Sequence, residues 1–134
     1  MECIFCKIVK NELPAALVFE NKEIISFLDI RPVNKGHCLV LPKKHVETFL
    51  DLDTKTLHAL MSVCQKVAKA MVQGTNAGGF NIILNSNNVA GGEIPHAHFH
   101  LIPRFQGDGI KNWPHKSYQE KELGQFAEKI KRFL

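Results

Sequence analysis

The sequence has no hydrophobic run of the length that a membrane-spanning helix requires. Its aliphatic runs are only a few residues long, Leu39-Val40-Leu41 being typical, whereas a span needs about 20 apolar residues. It also has no block of five or six like charges, although Lys and Arg exceed Asp and Glu by 17 − 13 = 4. These absences argue against a membrane anchor and against a nucleic-acid-binding tail.

The sequence also lacks a signal-peptide pattern and has few cysteines. Residues 1–7 lack the basic-then-apolar pattern of a signal peptide, which predicts a cytoplasmic protein. The chain has only four cysteines, and in that compartment they are expected to be thiols or metal ligands rather than disulfides. No linker, low-complexity tract or internal repeat interrupts the 134 residues, so residues 1–134 are expected to form a single domain.

The pattern of apolar residues predicts an α+β fold. Helical spacing predicts one long helix over about residues 54–72, capped by Asp53 or Thr54 and ended by Gly74, and a second helix from about Gln119 to the C-terminus. The expected order is a short helix, three strands, the long helix, two strands and the last helix, with the helices packed on one side of a largely antiparallel sheet. The predicted strands are Leu17–Glu20, Glu23–Leu28, Gly36–Leu41, Phe80–Asn85 and His96–Ile102.

The segment 95–104 carries three alternate histidines, His96, His98 and His100. In a strand their side chains share one face, while the residues between them face the core. Three interpretations are open: solvated surface histidines, three ligands of a catalytic zinc, or a histidine nucleophile with helper groups. An unprotonated imidazole is a competent nucleophile toward phosphorus, and Gly91-Gly92 could let backbone N–H groups approach an anion.

The first two cysteines have the spacing Cys3-x-x-Cys6, which is found in redox pairs, in metal half-sites and by coincidence. A structural zinc needs two further ligands. Spacing alone does not choose among the candidate imidazoles, which are those of His37, His45, His58, His96 and His115.

The histidine segment resembles the motif of the histidine triad superfamily, specifically its branch of histidine triad nucleotide-binding proteins. The resemblance covers nearly the whole chain in the same order, and it is weakest after Arg104. The segments that carry it are Ile4–Ile8, Phe27–Ile30, Gly36–His45, Asn81–Asn85 and His96–Ile102.

The resemblance implies a five-stranded antiparallel sheet with a long helix per subunit, and a homodimer with a continuous ten-stranded sheet. It further implies binding of a purine nucleoside monophosphate and cleavage at its α-phosphorus. The expected activity is hydrolysis of nucleoside 5'-phosphoramidates through a nucleotidyl-histidine intermediate. Hydrolysis of dinucleoside polyphosphates, and a nucleotide-binding regulatory protein without catalysis, remain alternatives.

By position, His98 is similar to the family's nucleophile, and His100 to the histidine that contacts the phosphate and assists the leaving group. His37 resembles an additional histidine behind the site, and Asp29 matches the residue that binds the ribose hydroxyls. The resemblance implies an apolar slot for the base, formed by Phe5, Ile8, Phe27, Ile30 and Leu39, and a ribose-phosphate side formed by Asn85, Gly91 and Glu93.

Relatives with an N-terminal CxxC imply a structural zinc, and the matching residues here are Cys3, Cys6, His45 and His96. The chain departs from the family in one place, since Gly92 stands where a Gln is common. That departure puts the fine rate and substrate preference in doubt. We also expect that Trp113 and the C-terminal tail reach the partner subunit's site.

Overall fold

The computed structural model describes residues 2–134. Met1 lies outside the described residues, so the predicted domain is described from Glu2 onward. The chain forms three α-helices, α1 (Ile4–Val9), α2 (Thr54–Thr75) and α3 (Glu122–Lys131), and two 3-10 turns at Phe49–Asp51 and Asn88–Ala90. Its five strands are β1 (Leu17–Glu20), β2 (Ile24–Leu28), β3 (Cys38–Pro42), β4 (Gly79–Ile83) and β5 (Phe99–Arg104).

The five strands form one antiparallel sheet in the order β1-β2-β3-β5-β4. The predicted antiparallel α+β architecture is therefore confirmed. The turn between β1 and β2 is fixed by Asn21, whose side-chain oxygen accepts the backbone N–H groups of Glu23 and Ile24 at 2.9 and 2.7 Å. This is the local hydrogen bonding that favours Asn in tight turns.

The sheet is covered on both faces, and here the sequence prediction was wrong. The long helix α2 packs on one face together with the side chains of Ile24, Val40, Phe99 and Leu101. On the other face, Phe5 of the short helix α1 packs against β2 and β3. A short helix was expected at the start of the chain, but its six residues are too few to show which face of the sheet it covers. The apolar residues of this second face are Phe5, Ile25, Phe27, Leu39 and Leu41.

Helix α2 begins where it was predicted and ends slightly later. The Asp53 side chain accepts the Thr56 N–H at 2.7 Å and so caps the first turn. The helix continues through Gly74 to Thr75, and Asn76 ends it in the left-handed conformation. Its buried stripe is Leu60, Val63, Cys64, Val67, Ala68 and Met71.

Helix α3 begins at Glu122 rather than Gln119, and in the single chain it does not pack on the sheet as expected. Its apolar side chains are largely exposed: Leu123 is 65% accessible and Ile130 63%. The amphipathic pattern was recognised correctly, but an amphipathic pattern does not specify which surface covers the apolar face.

The histidine segment is shorter as a strand than predicted, because β5 starts at Phe99. His96 and Ala97 direct their backbone N–H groups to the carbonyls of Ile94 and Val46, at 2.8 and 2.7 Å. His98 therefore lies just before the sheet hydrogen bonding begins. Within the described chain, residues 2–134, no helix has both the length and the apolar character needed to cross a membrane.

Candidate functional site

A cavity of about 630 Å³ opens on the sheet face opposite α2. It is enclosed by α1, by the segments that follow β2 and β4, and by the histidine segment. Every residue predicted for catalysis or nucleotide binding lines it: His37, His98 and His100, Asp29, the slot residues Phe5, Ile8, Phe27, Ile30 and Leu39, and Asn85, Gly91 and Glu93.

His37 enters the site from the turn before β3. Gly36 has φ +100°, and a Cβ built there would meet the Thr75 methyl at 2.5 Å, so this turn requires glycine. The Val33 N–H donates to His37 Nδ1 at 3.1 Å. In a neutral imidazole the proton must then reside on Nε2, which donates to His100 Nδ1 at 2.9 Å.

That donation fixes the tautomer of His100 in turn. Its Nδ1 accepts from His37, so its own proton lies on Nε2. The Asp29 carboxylate lies 3.7 Å from His37 Nε2 and favours this polarity. Val33, His37 and His100 thus form a one-way hydrogen-bond relay that ends in a free N–H donor on a residue lining the cavity.

The His98 ring is held in the tautomer that leaves a lone pair on Nε2. Its Nδ1 lies 2.6 Å from the backbone carbonyl of His96, and a carbonyl oxygen only accepts, so Nδ1 carries the proton. The lone pair is left on Nε2. The ring is held edge-on by Phe5 and His100, at centroid distances of 5.0 and 4.8 Å.

Burial keeps these imidazoles uncharged. It lowers the pKa of His37 and of His98 below the ordinary value of 6.5, and it lowers the pKa of His100 to about 4. The Asp29 carboxylate acts in the opposite direction on all three, but the loss of hydration is the larger effect. At neutral pH His98 is therefore an unprotonated imidazole with an available lone pair.

The remaining triad member, His96, belongs to a different cluster. Its Nε2 donates to the Pro42 carbonyl at 2.8 Å, which leaves the lone pair on Nδ1. Nδ1 faces Cys3 Sγ at 3.4 Å and Cys6 Sγ at 3.7 Å, and His45 Nδ1 lies 3.4 Å from Cys6 Sγ. All four ligand atoms lie within 4.8 Å of one another, so this Cys/His cluster has the arrangement of a metal-binding site.

Two other metal arrangements fit less well. The ligand atoms of Asp29, His37 and His100 also lie within 4.8 Å, but His37 already accepts at Nδ1, so Nε2 carries a proton and has no lone pair for a metal. The alternative of one catalytic ion held by all three triad histidines lacks a ligand set among residues 2–134, since His96 directs its Nδ1 to the cysteines.

The hydrogen bonds of loop 85–93 contradict the expectation that the N–H groups of Gly91-Gly92 approach an anion. The N–H groups of residues 90–93 all donate to carbonyls within the loop, at 2.9 to 3.1 Å, so they do not present themselves to an anion. A Cβ at Gly92 would lie 2.7 Å from the Asn85 carbonyl and 3.0 Å from the Asn87 nitrogen. Glycine is therefore required at this position, and the loop occupies the space in which the stem of a Gln would begin.

Several cavity residues were not predicted. Arg31 and Ile94 line the cavity, and Trp113, which was expected to reach a partner's site, lines the cavity of its own chain. The segment before Trp113 is held by Arg104, whose guanidinium donates to both Asp108 carboxylate oxygens at 2.8 and 3.1 Å. Arg31 lies two residues after Asp29, and this nearness to a predicted site residue could have indicated that it lines the cavity.

Comparisons with known proteins agree with this geometry. The profile of the HIT domain matches residues 10–107. An uncharacterized HIT-like protein of Methanocaldococcus jannaschii is 45% identical over 107 residues, covering 80% of this chain and 82% of that protein. An adenosine 5'-monophosphoramidase of Saccharomyces cerevisiae is 37% identical over 130 residues, covering 96% and 80%.

Among solved structures, a member of the HIT family from Bacillus subtilis superposes with a TM-score of 0.92 at 33% identity, covering 100% of this chain and 98% of that one. These relatives support nucleotide binding and hydrolase activity in general. By profile, sequence and structure, the chain is a member of the HIT domain family.

Proposed function

We propose that the protein hydrolyses nucleoside 5'-phosphoramidates at the α-phosphorus, with a nucleotidyl group carried transiently by His98 Nε2. The observation that carries this proposal is the tautomer of His98, set by the His96 carbonyl at 2.6 Å. It leaves an uncharged nucleophilic nitrogen on a ring that lines the cavity. A yeast relative named as an adenosine 5'-monophosphoramidase supports the choice of reaction.

The cavity offers complementary surfaces for the rest of a nucleotide. Phe5 and Phe27 meet edge-to-face at 5.6 Å and, with Leu39, form an apolar wall suited to a flat base. Asp29 lines the same cavity, 3.7 Å from His37 Nε2, and its carboxylate can accept hydrogen bonds from both ribose hydroxyls. With the base on the wall and the ribose at Asp29, we expect the α-phosphate beside His98 and His100.

In the first step His98 Nε2 forms a bond to phosphorus while the phosphorus–nitrogen bond of the substrate breaks. The departing amine needs a proton. It takes this proton from the solvent, while His100, whose Nδ1 still accepts from His37, donates its Nε2–H to the phosphate. The nucleotidylated imidazole is positively charged, and its Nδ1–H remains hydrogen-bonded to the His96 carbonyl.

In the second step a water molecule attacks the same phosphorus. The bond from His98 to phosphorus breaks, the water proton passes to the solvent, and a nucleoside monophosphate is released. Both histidines return to their starting states. The relay from His37 keeps the His100 ring oriented throughout.

We infer that the Cys/His cluster holds a structural zinc. Tetrahedral Zn²⁺ with bonds of about 2.3 Å to sulfur and 2.0–2.1 Å to nitrogen separates S and N ligands by about 3.6 Å. Three of the four S···N distances here are 3.4, 3.4 and 3.7 Å. The bound ion would supply a cross-link between α1 and the histidine segment. Because α1 also carries Phe5, this link would stabilise the cavity wall.

We further propose the homodimer with a continuous sheet. β4 is an edge strand whose Phe80 and Ile82 side chains are 43% and 46% exposed, and an apolar edge is a template for pairing with a second chain. Sedimentation should give the mass of two chains, and Ile82→Glu should shift the protein toward the monomer. A wild-type protein that sediments as a monomer would end this part of the proposal.

The activity is tested by incubating the protein with adenosine 5'-phosphoramidate. We expect release of adenosine monophosphate and, after rapid quenching, an adenylate mass adduct on the peptide that contains His98. His98→Ala should show neither. Turnover that persists in His98→Ala would refute the proposed mechanism, and faster hydrolysis of a diadenosine polyphosphate than of the phosphoramidate would favour that alternative substrate.

A further inference from the structure

The cavity is short of positive charge. Among the described residues that line it, Arg31 is the one with a permanent cation, and none is a lysine. Burial lowers the pKa of His37 and of His100, so neither carries a positive charge at neutral pH. Two carboxylates, those of Asp29 and Glu93, also line the cavity. A nucleotide phosphate entering this site therefore needs a compensating charge that these two histidines do not provide before the substrate arrives.

The loop ahead of the triad does not compensate for this shortage. Its N–H groups at residues 90–93 are used by carbonyls of the same loop. Position 92 is a glycine with no side chain to offer. The neutral side-chain donors in the lining include the Asn85 amide, the Trp113 indole N–H and the His100 Nε2–H.

Arg31 is placed to supply the missing charge. Its backbone N–H donates to Asp29 Oδ1 at 2.9 Å, which fixes it beside the carboxylate assigned to the ribose. Its guanidinium lies 3.7 Å from Glu93 Oε2, and both side chains are highly exposed, at 84% and 79%. An ion pair this exposed contributes little free energy, so the guanidinium can exchange Glu93 for a phosphate at low cost.

We propose that Arg31 binds the phosphate of the incoming nucleotide and that Glu93 is the counter-ion it leaves. The inference rests on the proposed function and adds a phosphate-binding residue that the triad motif does not contain. A guanidinium donates two parallel hydrogen bonds to phosphate oxygens, and it stabilises the charge that builds there during attack by His98. Glu93 competes for the same guanidinium, so removing its charge strengthens nucleotide binding.

The test compares the affinities for adenosine monophosphate and for adenosine, measured by calorimetry on the full, metal-loaded chain. Arg31→Ala should weaken binding of the monophosphate about tenfold, since a hydrogen bond to a charged group has this magnitude, and should leave adenosine unchanged. Glu93→Gln should tighten the monophosphate about two- to threefold, and this gain should vanish in the double variant. Arg132→Ala, an exposed arginine outside the cavity, is the matched control and should change neither affinity.

The outcomes separate this inference from the proposed function. If the wild-type protein binds the monophosphate and releases it from the phosphoramidate, while Arg31→Ala binds it within twofold of wild type, the inference alone fails. Equal weakening for adenosine and its monophosphate in Arg31→Ala also refutes it, because the arginine would then not act on the phosphate. If the wild-type protein neither binds the monophosphate nor turns over the phosphoramidate, both proposals fall.

Discussion

His96 and His98 are two residues apart in the chain, yet their imidazoles are held in opposite tautomers. His96 donates from Nε2 to the Pro42 carbonyl and keeps its lone pair on Nδ1, toward Cys3 and Cys6. His98 donates from Nδ1 to the His96 carbonyl and keeps its lone pair on Nε2. The carbonyl acceptor beside each ring therefore decides which nitrogen keeps its lone pair. That nitrogen in turn decides whether the side chain suits the proposed metal site or the proposed nucleophile.

The largest expected effect is on the nucleophile side of this comparison. His98→Ala should reduce kcat/KM for adenosine 5'-phosphoramidate by a factor of roughly 10³ or more, because no other group replaces the attacking nitrogen. The measurement is a steady-state assay with the unfolding temperature recorded alongside. His58→Ala removes an exposed histidine of α2 and should retain full activity; comparable losses in both variants would contradict the assignment.

On the metal side the expected loss is in stability rather than chemistry. Chelation, or Cys6→Ser, should lower the free energy of unfolding by about 3 kcal/mol or more, because an ion bound only by the folded chain stabilises it in this way. Thermal unfolding with metal analysis measures it. Cys64→Ala removes a buried thiol of the α2 core and should leave the response to chelator unchanged. If the chelator does not change the unfolding temperature, the proposal of a structural metal is wrong.

A smaller effect is expected from the relay that orients His100. His37→Ala removes the Nε2–H donor at 2.9 Å, and since one such hydrogen bond contributes about 1–1.5 kcal/mol, kcat should fall roughly tenfold. KM should change little. His37→Gln, which can restore a side-chain donor, should recover part of the loss, and the same loss in both variants would indicate a packing role instead.

The smallest effect is on the pH dependence of stability. Burial lowers the pKa of His100 to about 4 from its ordinary 6.5, so between these values the unfolded chain binds more protons than the folded one. The free energy of unfolding should therefore decline as pH falls from about 6.5 to 4. Below that range this group should cause no further decline. His100→Gln should show a shallower decline when urea titrations are compared at equal metal content. Parallel curves for the two proteins would show that His100 titrates normally.

Much of the fold was accessible from local patterns. The stripe on α2 and the alternation around His98 and His100 repeat within a few residues, and both follow directly from the geometry of helix and strand. The apolar pattern did not show which face of the sheet the short first helix covers. Its place beside the cavity followed from the resemblance, which put Phe5 and Ile8 in the base slot. The exposed face of α3 was recognised as amphipathic, although the sheet does not cover it in the single chain.

The candidate site divides in the same way. The resemblance carried by the triad and its neighbouring segments led to residues that line one cavity. The glycine pattern, by contrast, suggested that Gly91-Gly92 present N–H groups to an anion, which the loop hydrogen bonds do not support. Arg31 was missed although it lies two residues after Asp29, because a lone arginine in a loop is usually a surface residue. Its place in the cavity lining is what indicates a function.

By itself, the sequence determined which side chains share a face of β5 and of α2, because those relations are set by the backbone repeat. It also determined, through its resemblance to a family, which residues would gather. The tertiary structure alone decided which nitrogen of His96 and of His100 is free. Those protons are placed by partners 54 and 63 residues away in the chain, the Pro42 carbonyl for His96 and His37 for His100, and no local pattern specifies a hydrogen bond across such a separation.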